Sequence, residues 1–338
     1  MQMIHRFVKS TCLAIAMTSV ASIAAYAADD CSDVTIAAMN WQSAEVLASL
    51  DKFILENGYG CTVSVISGDT VPTLTSMAER GQPDIAPEGW VDLVPEVINR
   101  GLSEKKLVAP GVALSDGAQQ GWWIPKYVAD AHPDIKTIAD ALKHPELFPN
   151  PEDSSKGAVF NGPQGWGGTV VTTQFFKAYD AANKNFDLID TGSAAGLDGS
   201  IARAYENKQG WLGYYWAPTA ILGRYPMVKL NIDAPHDADE WKRCNSNADC
   251  PDPKINDWIA DKVETVVTTK FSERAGEPVM TYLGNRSWSN ATVNELLSWM
   301  TDNQANGDDG AKHFLENKKD VWSKWVSPEA AEKIEAAL

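Results

Sequence analysis

The chain reads as an α/β protein of two lobes with a ligand cleft between them. Three features predict this. Strand-like and helix-like runs alternate at βαβ spacing from Val34 to about residue 90, and again from Gly157 to Tyr215. Such alternation builds a largely parallel sheet with helices on both faces. A polar connection carrying Pro145, Pro149 and Pro151 separates the two series. Four tryptophans stand where a strand gives way to a helix, which is where open α/β sheets bind their ligands.

The elements follow in order. Val34 to Met39 is an apolar run that reads as a buried strand, and Ser43 to Glu56 is an amphipathic helix stopped by Asn57-Gly58. Cys61 to Ile66 alternates as a second strand, Val71 to Arg80 is a helix ended by Gly81, and Asp84-Ile85-Ala86 is a short third strand. Near Gly121 the pattern changes to the strand-like GWWIPKY. The second series then runs through a strand at 157–161, a helix from Thr169 to Tyr179, a strand at 186–189, a helix at 194–206 and a strand at 210–215. Met227 to Ile232 and Val263 to Lys270 add strands around a cysteine loop, and the remainder is helical, at 293–303, 310–317 and 328–337. This gives a first lobe of 28–120 plus 262–338 and a second of 121–261.

Residues 1–27 read as a secretory leader: His5, Arg6 and Lys9 precede an apolar stretch, and Ala25-Tyr26-Ala27 is a small-residue cleavage site. A soluble periplasmic protein is expected, since no stretch is long enough to span a bilayer. About 311 residues remain, enough for two cores. The 45 acidic against 29 basic residues argue against nucleic acid or anionic membrane as a partner. Cys31, Cys61, Cys244 and Cys250 are an even set for an oxidising compartment. Cys31 and Cys61 precede neighbouring strands, so they pair, leaving Cys244–Cys250 to close a small loop.

The tryptophans suggest the chemistry. Trp166 lies within GPQGWGGT, a glycine turn that opens a helix and offers backbone N–H groups to an oxygen-bearing or negative group. Trp41 in MNWQS, Trp90 in PEGW and Trp216 in YYWAP occupy equivalent junctions. Indole faces attract quaternary ammonium groups. Four of them predict a cage for a methylated ammonium compound. The other tryptophans fall within or beside helix and strand patterns and read as packing; Trp122 and Trp123 are left out of the site.

With MNW, PEGW, GWW.P.Y, G..GWGG and YYWAP in this order, the chain resembles the glycine betaine and choline class of ABC-importer substrate-binding proteins. The resemblance covers nearly all of the chain after the leader. It implies a type II-like periplasmic binding protein that binds solute without covalent chemistry and hands it to an ABC permease, as a monomer. Carried over, Trp41 and Trp90 of the first lobe and Trp166 and Trp216 of the second box the trimethylammonium group, and Gly167 and Gly168 supply N–H groups to the ligand oxygen.

Glu88 lies two residues before Trp90, on the same face of an extended segment, where its charge adds attraction for a cation. Betaine-binding relatives often carry a histidine four residues after the first cage tryptophan; here Glu45 stands there. A glutamate repels a carboxylate, which tilts the expected ligand from glycine betaine towards trimethylamine N-oxide or choline, with dimethylsulfoniopropionate also sharing the onium head. In CNSNADCPDP, the alternating Asn245, Asn247 and Asp249, followed by Asp252, predict a structural calcium beside the Cys244–Cys250 bridge. No cofactor is expected for binding itself. Histidines are scattered and no G-x-S-x-G or phosphate-loop lysine occurs, so an enzyme is disfavoured. The competing class is a secreted carbohydrate-active enzyme that stacks sugars on indoles.

Overall fold

The structure is a computed structural model that describes residues 31–338; the leader expected at 1–27 lies outside the described residues. Ten strands form two sheets: β1 (Val34–Met39), β2 (Val63–Gly68), β3 (Ile85–Trp90), β4 (Leu107–Val112), β5 (Gln119–Pro125), β6 (Gly157–Asn161), β7 (Phe186–Asp190), β8 (Gly213–Ala217), β9 (Met227–Lys229) and β10 (Val263–Thr268). The first sheet has the order β2-β1-β3-β10-β4 and the second β7-β6-β8-β5-β9. Both repeat one scheme: three parallel strands, then an antiparallel strand, then a last edge strand.

The expectation of parallel sheets therefore holds for three strands in each lobe and fails for β5 and β10. Each of these two has just crossed from the other lobe, so it enters its sheet from the far end and runs against its neighbours. β4 was not anticipated, because LVAPGV carries Pro110 and Gly111. It is an edge strand, where a residue without an N–H is tolerated. The crossing segments meet between the lobes, where Ala118 and Asp261 form an antiparallel bridge.

Helices cover both faces of each sheet, which is why β3 is buried at all six positions. Helix Gln42–Tyr59 packs beneath helices Gly307–Asn317 and Pro328–Ala337 of the C-terminal region. A buried ion pair, Arg286 Nε to Asp51 at 2.8 Å, ties that helix to the sheet. Tyr282 donates to Asp51, and Arg286 also donates to Thr265 Oγ1 at 2.7 Å, so the charges are not left bare. Cys31–Cys61 and Cys244–Cys250 are both bonded.

Candidate functional site

The four tryptophans come together. Trp41 is the N-cap of helix Gln42–Tyr59, Trp90 ends β3, Trp166 is the N-cap of helix Gly167–Ala178, and Trp216 lies in β8. With Thr70, Leu93, Gly168 and Tyr214 they line one small cavity, about 240 Å³ of empty space counted with its mouth. Trp166 stands edge-on to Trp41, ring centroids 5.6 Å apart at 85°, and edge-on to Trp216 at 5.0 Å and 90°. Tyr214 lies nearly parallel to Trp216, 6.1 Å away at 20°. The walls are thus indole and phenol rings drawn from both lobes, and all four tryptophans are buried.

Glycine is required where the helix meets the cavity. A Cβ on Gly168 would lie 2.2 Å from the Tyr214 hydroxyl oxygen, and one on Gly167 would lie 2.5 Å from Leu93 Cβ. The side chain of Trp166 does not cap the helix, so no cap bond occupies the amides of its first turn. Those N–H groups carry the positive end of the helix dipole, which suits a ligand oxygen. Of the two glycines, Gly168 lines the cavity; Gly167 packs against Leu93.

Glu88 takes a different place from the one expected. It is fully buried and is not among the cavity-lining residues. Its Oε1 accepts hydrogen bonds from Trp41 Nε1 at 2.7 Å, Ser43 Oγ at 3.0 Å and Trp90 Nε1 at 3.1 Å. One carboxylate oxygen therefore holds both first-lobe indoles by their N–H groups and turns their faces to the cavity. Burial raises the Glu88 pKa, against the pull of these bonds and of Arg286.

The second lobe closes over this floor through polar bonds. Trp166 Nε1 donates to Asn40 Oδ1, the Val71 N–H to the Gly165 carbonyl at 3.0 Å, and Trp241 Nε1 to the Asp92 carbonyl at 2.7 Å. A wider cavity adjoins the cage, sharing Trp41 and Trp216 with it. Glu45 from the first lobe and Asp198 from the second line it. Burial raises both pKa values, that of Asp198 to about 6, and Asp198 accepts a hydrogen bond from Tyr215 at 2.6 Å. No lysine, arginine or histidine is among the residues lining either cavity.

Sequence reading missed Tyr214, Leu93, Thr70 and Asp198. Tyr214 had a signal: it sits two residues before Trp216, hence on the same strand face. In the cysteine loop, three of the oxygens expected to hold calcium have other partners. Asn245 Oδ1 accepts from Asn256 Nδ2 at 2.7 Å, Asn247 Oδ1 from the Asp249 N–H at 3.1 Å, and Asp252 Oδ1 from Arg243 at 3.0 Å. Asn247 thus caps the loop's own backbone, while Asn245 meets a side-chain amide and Asp252 a guanidinium. Among the described residues, the histidine, cysteine and acidic side chains close enough to share one metal are Asp252 and the two bonded cysteines.

Comparison with known proteins agrees with this geometry. Residues 32–317 match the family described as the substrate binding domain of ABC-type glycine betaine transport systems. The trimethylamine N-oxide-binding protein of Pelagibacter ubique (strain HTCC1062) is 24% identical over 326 residues, covering 92% of this chain and 96% of that protein. Among solved structures, the glycine betaine, L-proline-binding protein ProX of Borrelia burgdorferi superposes with a TM-score of 0.69 at 18% identity, over 90% of this chain and 99% of that one. A choline-binding protein in complex with choline gives 0.67 at 16%, over 90% and 97%. Lactococcal OpuAC, closed on glycine betaine, gives 0.65 at 16%, over 88% and 100%. These similarities share the two-lobed α/β fold and span nearly the whole chain. This protein belongs to the family of substrate-binding domains of ABC-type glycine betaine transport systems, and is a solute receptor of quaternary ammonium transport and not an enzyme.

Proposed function

We propose that the cage formed by Trp41, Trp90, Trp166 and Trp216 binds trimethylamine N-oxide. The observation that carries this reading is the sign of the charge around the cage. Glu45 and Asp198 line the adjoining cavity and no cationic side chain lines either one, so no side-chain charge there answers the carboxylate of glycine betaine. An N-oxide places a small oxygen close to its methyl groups, within reach of an amide at the start of the helix from Gly167. The similarity to the Pelagibacter ubique protein supports the same ligand. Choline, whose tail carries no negative charge, is the second choice on the same grounds; glycine betaine and dimethylsulfoniopropionate rank below it.

The receptor acts as a monomer in the periplasm under this reading and delivers its ligand to an ABC permease. Isothermal titration calorimetry of ligand-stripped protein against the four compounds tests it. Trimethylamine N-oxide is expected to bind most tightly and the two carboxylates least. Tighter binding of glycine betaine would overturn the choice of ligand, and silence from all four would overturn the cage. Trp166→Ala and Trp216→Ala are each expected to weaken binding by about 1–2 kcal/mol, roughly fivefold to thirtyfold, through loss of a cation–π face.

A further inference from the structure

Where the two crossing segments meet, Asp261 is buried to 2% exposure, and the one side-chain donor that meets its carboxylate is the amide of Gln120. Its backbone carbonyl accepts from the Ala118 N–H at 3.1 Å, so the residue belongs to the crossing itself. The groups around it come from both sides. Asp92, in the turn after β3, adds a like charge, while Lys229 of β9 adds an opposite one. The side-chain amide of Gln120, on β5, is buried against Asp261 and favours its charged form. Gln120 Oε1 in turn accepts from the hydroxyl of Tyr214, whose ring lines the cage. A short chain thus runs from the crossing through Gln120 and Tyr214 to the cage wall.

We propose that Asp261 is a protonation-controlled latch that couples closure of the lobes, and with it occupancy of the cage, to uptake of a proton. In the closed arrangement the carboxylate is dehydrated and beside Asp92, which together outweigh the Gln120 amide and Lys229, so its protonated form is favoured and its pKa is pushed up to about 7. Opening of the lobes around the crossing admits water to this carboxyl and returns it towards the ordinary aspartate value of about 3.9. The closed form then binds a proton that the open form does not. Between about pH 4 and pH 7 closure takes up a proton, and affinity falls as pH rises, by up to about tenfold per unit; outside that window it levels off. Once protonated, Asp261 has an O–H to donate, and Gln120, already bonded to Tyr214, is its neighbour at the crossing.

The ligand arm of this inference rests on the cage reading above; the closure arm does not. Calorimetry with trimethylamine N-oxide at pH 5.5 in acetate and in MES, whose ionisation heats differ, reads proton uptake directly. Asp261→Asn is expected to take up close to one proton fewer than wild type, with a shallower fall of affinity from pH 5 to pH 8; Glu45 and Asp198 contribute equally in both proteins. Binding without proton uptake in wild type, or equal uptake in the two proteins, overturns the latch. Asp92→Asn, which keeps an acceptor but removes the like charge, is expected to move the wild-type window to lower pH, and serves if Asp261→Asn does not fold. Should none of the onium compounds bind, the cage reading fails and small-angle scattering of ligand-free protein still decides the latch. The radius of gyration is expected to be smaller at pH 5 than at pH 8 in wild type and equal at both in Asp261→Asn; equal radii in wild type overturn it.

Discussion

Replacing Glu88 by leucine keeps the volume nearly constant and removes the acceptor that both first-lobe cage indoles share. Three donors then lose their partner in a fully buried place: Trp41 Nε1, Trp90 Nε1 and Ser43 Oγ. Leaving a buried donor unsatisfied costs about 1–3 kcal/mol, so the three together cost at least about 3 kcal/mol. Removing a dehydrated carboxylate gives some of this back, which places the net near that lower bound. At about 2–4 °C per kcal/mol for chains of 150–250 residues, the melting temperature should fall by roughly 6–12 °C. Binding suffers separately, because the ring faces are no longer held, and a loss of at least about tenfold in affinity is expected, the equivalent of ~1.4 kcal/mol. Glu88→Gln keeps a carbonyl oxygen for the same donors and should bind within about threefold of wild type, or ~0.7 kcal/mol. Differential scanning fluorimetry gives the stability, calorimetry the affinity, and near-ultraviolet circular dichroism reports the indole environment. An unchanged spectrum and affinity in Glu88→Leu would refute the role assigned to this carboxylate.

Other substitutions test other parts of the site. Gly168→Ala drives a methyl group onto the Tyr214 hydroxyl at 2.2 Å, so binding should be lost while far-ultraviolet circular dichroism stays native; wild-type affinity would show that the close approach is not needed. Cys31→Ser/Cys61→Ser opens a loop spanning 30 residues of sequence and should cost about 3–4 kcal/mol of stability by loop-closure entropy, read from urea unfolding; a loss below ~1 kcal/mol would contradict it. Treatment with EDTA tests the calcium expected in the cysteine loop: a marked fall in melting temperature would place the ion there, and an unchanged curve would leave Asn245, Asn247 and Asp252 to the partners they have.

Much of the cage was legible because tryptophan at a strand-to-helix junction has few packing reasons to be there. The positions of Trp41, Trp90, Trp166 and Trp216 could be read from local pattern alone, and all four meet. Glu88 was legible only halfway. Two-residue spacing puts it beside Trp90, but β3 is buried on both faces, so beside the ring came to mean behind it. In the cysteine loop, alternating Asn and Asp residues resemble cation ligands. The same side chains readily bond their own backbone two residues on, as Asn247 does with Asp249, and sequence spacing does not separate the two outcomes. Asn40, Gln120 and Asp261 escaped notice because their importance lies in what the other lobe brings to them.

The shared strand scheme also sets an order of assembly. The second sheet is built from one continuous stretch between Gln119 and Lys229, and every strand it needs is present once that stretch has been made. The first sheet cannot be completed then. Its fourth position belongs to β10, residues Val263–Thr268, which must insert between β3 and β4 after the whole second lobe has been synthesised. Until that insertion β4 has no neighbour in the sheet, and Trp90 lacks the strand that flanks it. The half of the cage carried by Trp41 and Trp90 is therefore finished last, by a long-range pairing of the kind that slows folding. A chain cut between Lys229 and Val263 would hold every strand of the second sheet and an unfinished first one.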